Sequence, residues 1–569
     1  WKIIKGLNFT TQLGARAISN NGKEFVTSYE IRDRVNPTIV RKARPINTLQ
    51  ETRNSSKELT LNSFLNYSTS LDKHTLAGLA GYSEIQNSGG SLTAFRQGFY
   101  NNDIQAIGQG TNDATKSNGG GETNWGLRSF FGRVNYAFDD KYLFEANARY
   151  DGSSRFSDNN RYSFFPSFSA GWRLSEEKFW GGLSNYVNEF KLRGSWGKTG
   201  NQAVDLYSYY STLNLVTYSF NGAPVQGYTQ QQLSSKDLTW ETTTQSNIGL
   251  DAQFLNNRLS LGVDYYEKRT DGILLMLPVP ATLGLLASPQ NAGIVDNKGW
   301  EFAAGTRNKF GNFGLNVNLN FNINDNNVVD LAGTGPYITG SDIDPRYLTG
   351  EGYPIDSFWG YRTDGFFQTK ADADKSPVFI RPALAGDIKY VDMNNDKVID
   401  AKDMTFVGNP FPKYTFGSSW NLAYKGFNLN MLLQGASGHE VQLTRALVQS
   451  GTAEAFTHKI YTNNFWSPEN PNARFPRPIK FETRNQVNSD FNTIDGDYIR
   501  LKNIQLQYQI PTALTKRLLV ERMNVYVSGT NLLTFSKLNE WNLDPEKVSG
   551  WENYYPQVSL YTLGFNLQF

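Results

Sequence analysis

The sequence has no cysteine, only 3 histidines and 5 methionines in 569 residues, and no long uninterrupted hydrophobic run. The first absence removes disulfide frameworks, thiolate nucleophiles, iron–sulfur clusters and cysteine-based zinc sites. Catalysis would have to rest on His, Ser or carboxylates. Net charge is also nearly absent, since 55 basic and 53 acidic side chains leave +2. That balance supplies no basic face for nucleic acid, and no nucleic-acid partner is expected. The longest apolar stretch, Ile273 to Ala287, is interrupted by Pro278 and Pro280. It falls short of the ~20 residues a membrane helix needs. Trp1 is not an initiator Met and no signal-peptide pattern follows it, so the sequence is expected to begin inside a mature protein.

What is abundant is aromatic: 12 Trp, 30 Tyr and 37 Phe, with 51 Gly. The mean hydropathy of −0.49 suits a soluble protein. It suits equally a barrel with an aqueous lumen, in which only every second strand residue meets lipid. The organising pattern is period-two alternation over stretches of about ten residues. From Leu315 to Asn324, Leu315, Val317, Leu319, Phe321 and Ile323 alternate with five asparagines, which predicts one greasy face and one ladder of neutral amides. Phe130 to Phe138 turns at Asp139-Asp140 into Tyr142, Phe144, Ala146, Ala148 and Tyr150. Ile248, Leu250, Ala252 and Phe254 turn at Asn256-Asn257 into Leu259, Leu261, Val263 and Tyr265. Each reads as a tight hairpin, and further pairs meet at Phe310-Gly311-Asn312 and Tyr424-Lys425-Gly426.

About sixteen to eighteen such strands are expected, joined alternately by short turns and long loops, the longest spanning 325–411 and 436–495. Tyr136, Phe138, Tyr142, Phe144, Tyr265, Tyr266, Tyr508 and Tyr526 fall near strand ends, as interfacial girdles require. The last strand alternates through Tyr561, Leu563, Phe565 and Leu567 to Phe569. The expectation is an all-β transmembrane antiparallel barrel. The rival reading is a non-transporting surface β-protein, an adhesin or carbohydrate-binding protein built on the same alternation. Detergent-dependent extraction separates the two.

Six stretches, in order along the chain, carry a resemblance to a known family. They are Arg149 to Trp180 (RYDGSSRF…EEKFW), Leu238 to Leu275 (LTWETTTQSN…DGILL), Asn291 to Glu301 (NAGIVDNKGWE), Gly350 to Gln368 (GEGYPIDSFWGYRTDGFFQ), Phe465 to Arg477 (FWSPENPNARFPR) and Asp497 to Pro511 (DYIRLKNIQLQYQIP). In these the chain resembles the SusC/RagA family, the TonB-dependent outer-membrane transporters of Bacteroidota. The resemblance implies a 22-stranded barrel in the bacterial outer membrane, of which residues 1–569 would be the C-terminal part, without the plug domain and first strands. It further implies a SusD-like surface lipoprotein over the mouth, energy from the TonB complex through the N-terminal part, and an oligosaccharide or peptide as cargo. Asn247, Asp251, Asn316, Asn318 and Asn320 are expected to line the lumen.

One segment has the spacing of a metal loop. Asp392, Asn394, Asp396, Val398 through its carbonyl, Asp400 and Asp403 fall at positions 1, 3, 5, 7, 9 and 12 of a calcium loop, with Ile399 as the apolar residue between ligands. Lys397 stands where Gly is usual and Asp403 replaces a longer Glu, so an acidic solvated loop is the alternative. Calcium would be the only cofactor, rigidifying an extracellular loop and catalysing nothing. His74, His439 and His458 lack His companions and read as strand-end or loop residues. Gly108 to Gly110 and Gly119 to Gly121 read as flexible loop, and Glu176-Glu177 as strand neighbours pointing apart. Trp359, Phe366, Phe367, Trp466, Trp541 and Trp551 are candidates for stacking on cargo, or more simply for packing among the loops. No enzymatic role is assigned.

Overall fold

The computed structural model describes residues 2–277, 279–341, 346–443, 459–479, 483–516, 519–546, 549–550 and 557–569. One sheet of 17 strands dominates it. The first strands are β1 (Lys2–Ile4), β2 (Leu7–Val26), β3 (Thr48–Leu71), β4 (His74–Gln97), β5 (Ser117–Phe138) and β6 (Tyr142–Ser153). Then come β7 (Tyr162–Arg173), β8 (Val187–Asn201), β9 (Glu241–Phe254), β10 (Leu259–Met276), β11 (Pro289–Phe310) and β12 (Phe313–Asp330). The last are β13 (Tyr414–Tyr424), β14 (Phe427–Ser437), β15 (Tyr498–Gln509), β16 (Arg522–Ser536) and β17 (Leu560–Gln568). Each strand pairs antiparallel with the next in sequence, the up-and-down order of a barrel wall. Among the described residues no ladder joins β17 to β1.

The turns of one rim are short because their residues tolerate left-handed backbone. Asp139 and Asp140 reverse β5 into β6 at φ 52° and 53°, Gly311 turns β11 at 59°, and Lys425-Gly426 turns β13 at 44° and 89°. The opposite rim carries the long excursions. β12 continues to Asp330 and β14 to Ser437, so the two longest run over 331–413 and 438–497.

Cross-strand register joins apolar residues into continuous rows. One passes from Phe144 through Ala170, Gly194, Ile248, Tyr265, Trp300 and Ile323 to Tyr414, each directly opposite the last. Rings touch along it, with centroids 6.2 Å apart for Trp300–Phe302 and 6.1 Å for Phe321–Tyr414. Many of these side chains are exposed, including Ile248 at 71% and Leu563 at 80%. A contiguous apolar belt of that extent is a surface for lipid.

Register corrects two girdle assignments. Tyr265 lies in the apolar row, but its neighbour Tyr266 points to the other face, buried, and its hydroxyl donates to Asn324 Oδ1 (2.9 Å). Tyr526 likewise stands opposite Gln507 and Gly564, off the apolar row. Adjacent strand residues cannot share a face. Gly119 to Gly121, expected in a loop, belong to β5, where a Cβ on Gly120 would collide with the Ser91 carbonyl of β4. Glu176 ends a 3-10 turn after β7 and Glu177 follows it, so neither is on a strand, and they serve separate partners, Arg173 and Tyr142.

Candidate functional site

The polar face of the wall and the folded loops above it form the candidate site. On the polar face the expected lumen residues come together. Asn316, Asn318 and Asn320 stand opposite Arg307, Gly305 and Ala303, and Asn318 donates to Ser419 Oγ (3.3 Å) on β13. Asn421 donates to Asn428 and Asn430 at 2.7 and 2.6 Å, extending the amide ladder to β14. Asp251 proves to be half of a cross-strand cluster that alternation did not reveal. Arg193 on β8 reaches Asp251 on β9 (3.0 and 3.2 Å) and Asp264 on β10 (2.5 and 2.6 Å), spanning three strands. Gly249 makes room for it, since a Cβ there would lie 2.6 Å from the guanidinium carbon and from Asp264 Oδ1. The signal was present in the alternation of Arg193, Asp251 and Asp264 opposite the apolar residues, but only the register puts them in contact.

The 331–413 and 438–497 excursions fold into a lobe. Its core is Tyr361, Phe379, Ile388, Tyr390, Ile399, Met404 and Val487, with Trp359, Phe366 and Phe491 against it. Two buried charges link the excursions. Arg484, fully buried, places its guanidinium carbon 5.6 Å from the ring centres of Phe379 and Tyr390 and donates from Nη1 to the Phe379 carbonyl (2.6 Å). Asp387, also fully buried, accepts from Arg381 (2.8 Å), Arg477 (2.9 Å), the Leu384 amide (2.9 Å) and Asn485 (3.2 Å). Burial alone pushes its pKa up, and the arginine and amide donors outweigh burial, so the net displacement is downward. Of the loop aromatics, Phe367, Trp466 and Trp541 are buried, and Trp466 Nε1 donates to Gln368 Oε1 (3.0 Å). Trp551 and His458 lie outside the described residues. His74 pairs through Nδ1 with the Tyr136 hydroxyl (2.8 Å) on the short-turn rim. His439 is buried at the foot of the lobe, its pKa pushed down by burial, while burial pushes the adjacent Glu440 up.

The calcium-like loop closes largely on its own amides. Asp392 Oδ2 accepts from Lys397 N (2.8 Å), Asn394 Oδ1 from Asp396 N (2.9 Å), Asp396 Oδ1 from Val398 N (2.9 Å) and Asp400 Oδ1 from Lys402 N (2.8 Å). Asp403, fully buried, accepts from Met393 N and Asp400 N, both at 2.8 Å. Lys397 takes φ 67°, the conformation the usual Gly would supply, and Ile399 anchors the loop in the lobe core. Asp392 Oδ1 is buried with no hydrogen bond. Among the described residues no three His, Asp or Glu side chains converge on one point.

A sheet with one lipid-compatible face, one polar face, short turns on one rim and a folded lobe on the other defines the wall of a transmembrane antiparallel β-barrel. The comparisons place it further. The family described as "TonB dependent receptor-like, beta-barrel" matches residues 5–532, and the chain belongs to this family of outer-membrane proteins. TonB-dependent receptor P26 of Formosa agariphila is 34% identical over 78% of this chain and 46% of its own length. TonB-dependent receptor P3 of the same organism is 31% identical over 91% of this chain and 53% of its length, and SusC of Bacteroides thetaiotaomicron 28% over 78% and 44%. The chain thus spans about half the length of these relatives. The solved RagAB peptide transporter superposes over 100% of this chain and 60% of its own with a TM-score of 0.84 at 24% identity, a likeness of fold.

Proposed function

We propose that this chain forms the wall and outer mouth of a TonB-dependent outer-membrane importer of oligosaccharides or peptides, capped by a SusD-like surface lipoprotein. The carrying observation is the division of the wall: an unbroken apolar row faces lipid, and the amide ladder and the Arg193 cluster make the other face wettable. A lumen that mixes neutral amides with charges of both signs does not favour strongly ionic cargo. RagAB is described as a peptide transporter, and that description supports the peptide half of the reading. The reading assigns no catalysis to the chain. Uptake of labelled oligosaccharides and peptides by cells carrying the full-length protein tests it. Import lost on TonB removal is the expected result, and import indifferent to TonB would refute it.

The same reading takes a calcium ion in the mouth, held by Asp392, Asn394, Asp396, Asp400, Asp403 and the Val398 carbonyl. The buried, unbonded Asp392 Oδ1 and the left-handed Lys397 support it. Affinity is expected at the weak end, about 10⁻⁴–10⁻³ M. Calorimetric titration of the chelated protein should show binding that Asp392→Ala abolishes. No heat of binding would leave the loop as a self-capped turn.

A further inference from the structure

A cavity of about 300 Å³ opens in the lobe, walled by Leu443, Tyr461, Phe465, Phe475, Phe491 and Trp541. Its aromatic wall is built in advance. Tyr461 stacks on Phe465 at 5.4 Å and meets Trp541 edge-on at 6.0 Å, and Phe475 meets Trp541 edge-on at 5.9 Å. Tyr461, Phe475 and Trp541 are held by the surrounding chain, each less than 5% exposed. The volume is at the lower end for small-molecule sites, enough for one bulky side chain and its amide groups.

Several of the polar groups around this cavity already have partners within the lobe. Arg474 pairs with Glu540 (2.5 Å) and Lys537 with Asp495 (2.8 Å), while Arg477 (2.9 Å) shares Asp387 with Arg381 (2.8 Å). Asn485 accepts from Ile388 N through Oδ1 and donates from Nδ2 to Asp387, Asn492 donates to the Val487 carbonyl, and Thr493 to the Ser489 carbonyl. Each of these cations already has a carboxylate partner, so a charged ligand would have to compete with it. A sugar ring would bury several hydroxyls against a largely aromatic wall, at a cost for each one left unmet. An aromatic ring asks for none of these and gains edge and face contacts with the existing rings.

We infer that this cavity is an anchor pocket for an uncharged aromatic side chain presented by a peptide. The inference deepens the import reading by favouring peptide cargo at the mouth, and its test does not depend on uptake. The probes are N-acetyl-tryptophanamide and N-acetylglucosamine, titrated into the full-length protein in detergent and followed by calorimetry and ligand-observed NMR. Saturable binding of the tryptophan amide, weakened at least tenfold by Phe465→Ala and by the cavity-filling Ile494→Phe, is expected, with no saturation by the sugar. Heat-modifiable migration on gels verifies that each variant is folded. A tryptophan amide that fails to bind, or binds folded variants and parent alike, overturns the pocket, as does preferential sugar binding. Failure of TonB-dependent uptake with the pocket's binding intact would instead count against the import reading.

Discussion

Arg500 offers the sharpest test of how the long loops are fastened to the wall. It sits on β15 with its side chain only 3% exposed, and Nη2 lies 2.8 Å from Asp544 Oδ2, itself 9% exposed. Nη1 is 2.8 Å from Glu546 Oε1, and Nε donates to Thr534 Oγ1 (2.9 Å) on β16. Replacing Arg500 by Met keeps most of the stem and removes the charge. Glu546 retains Lys502 at 3.1 Å, so its loss is small. Asp544 is left buried beside an apolar side chain, and breaking such a pair from one side costs about 3–5 kcal/mol. Releasing the 537–546 loop to water is the cheaper escape, so the cost should appear as local opening. Hydrogen exchange of peptides covering Leu538 to Glu546 should lose protection by roughly 10²–10³-fold, while the β5–β8 wall is unchanged. Adding Asp544→Leu to Arg500→Met should restore part of the loss, because no carboxylate is then stranded. A loss below about fivefold, or a double variant as open as the single, would refute the argument that burial gives this pair its weight.

Leu319→Arg, on the apolar row, should cost about 2–4 kcal/mol near mid-membrane, whereas Asn318→Arg on the polar face should cost far less; urea titrations in micelles compare them, and equal costs would invert the assigned faces. Gly249→Val should destabilise the wall by about 1–3 kcal/mol of overpacking, read as a lower urea midpoint, because its Cβ would enter the Arg193–Asp264 contact, and the penalty should shrink when Arg193 is Met. Asp387 has a pKa lowered in the folded lobe, so its contribution is present above the ordinary carboxylate value and is lost as pH falls through the lowered one. Proteolysis of the lobe should rise on that acid limb, and Asp387→Asn should flatten it. Glu440 has the opposite sign, a raised pKa from burial, so Glu440→Gln should increase neutral-pH resistance of the lobe to proteolysis; a decrease would contradict the assignment.

The readable part of this molecule is the part governed by neighbours in sequence. Period-two alternation put Leu315, Val317, Leu319 and Phe321 on one face and the asparagines on the other, and register kept them there. Asp139-Asp140 and Lys425-Gly426 marked turns because those residues accept positive φ. The same rule misled where it was applied by position along the strand alone: Tyr265 and Tyr266 were both expected near a strand end, yet they lie within β10 and face opposite ways. Gly119 to Gly121 looked like loop because composition does not distinguish a flexible glycine from one demanded by close strand approach.

The sequence by itself determined the class of architecture, the lipid and lumen faces, the tight turns and the family, since each depends on contacts between residues a few positions apart or on motifs that survive as strings. The tertiary structure alone decided the rest. Arg193 meets Asp264 across 71 positions, Arg484 meets Phe379 across 105, and Trp541 closes a pocket begun at Leu443. Such meetings are set by strand register and by how two long excursions pack over one another, and no local period encodes either.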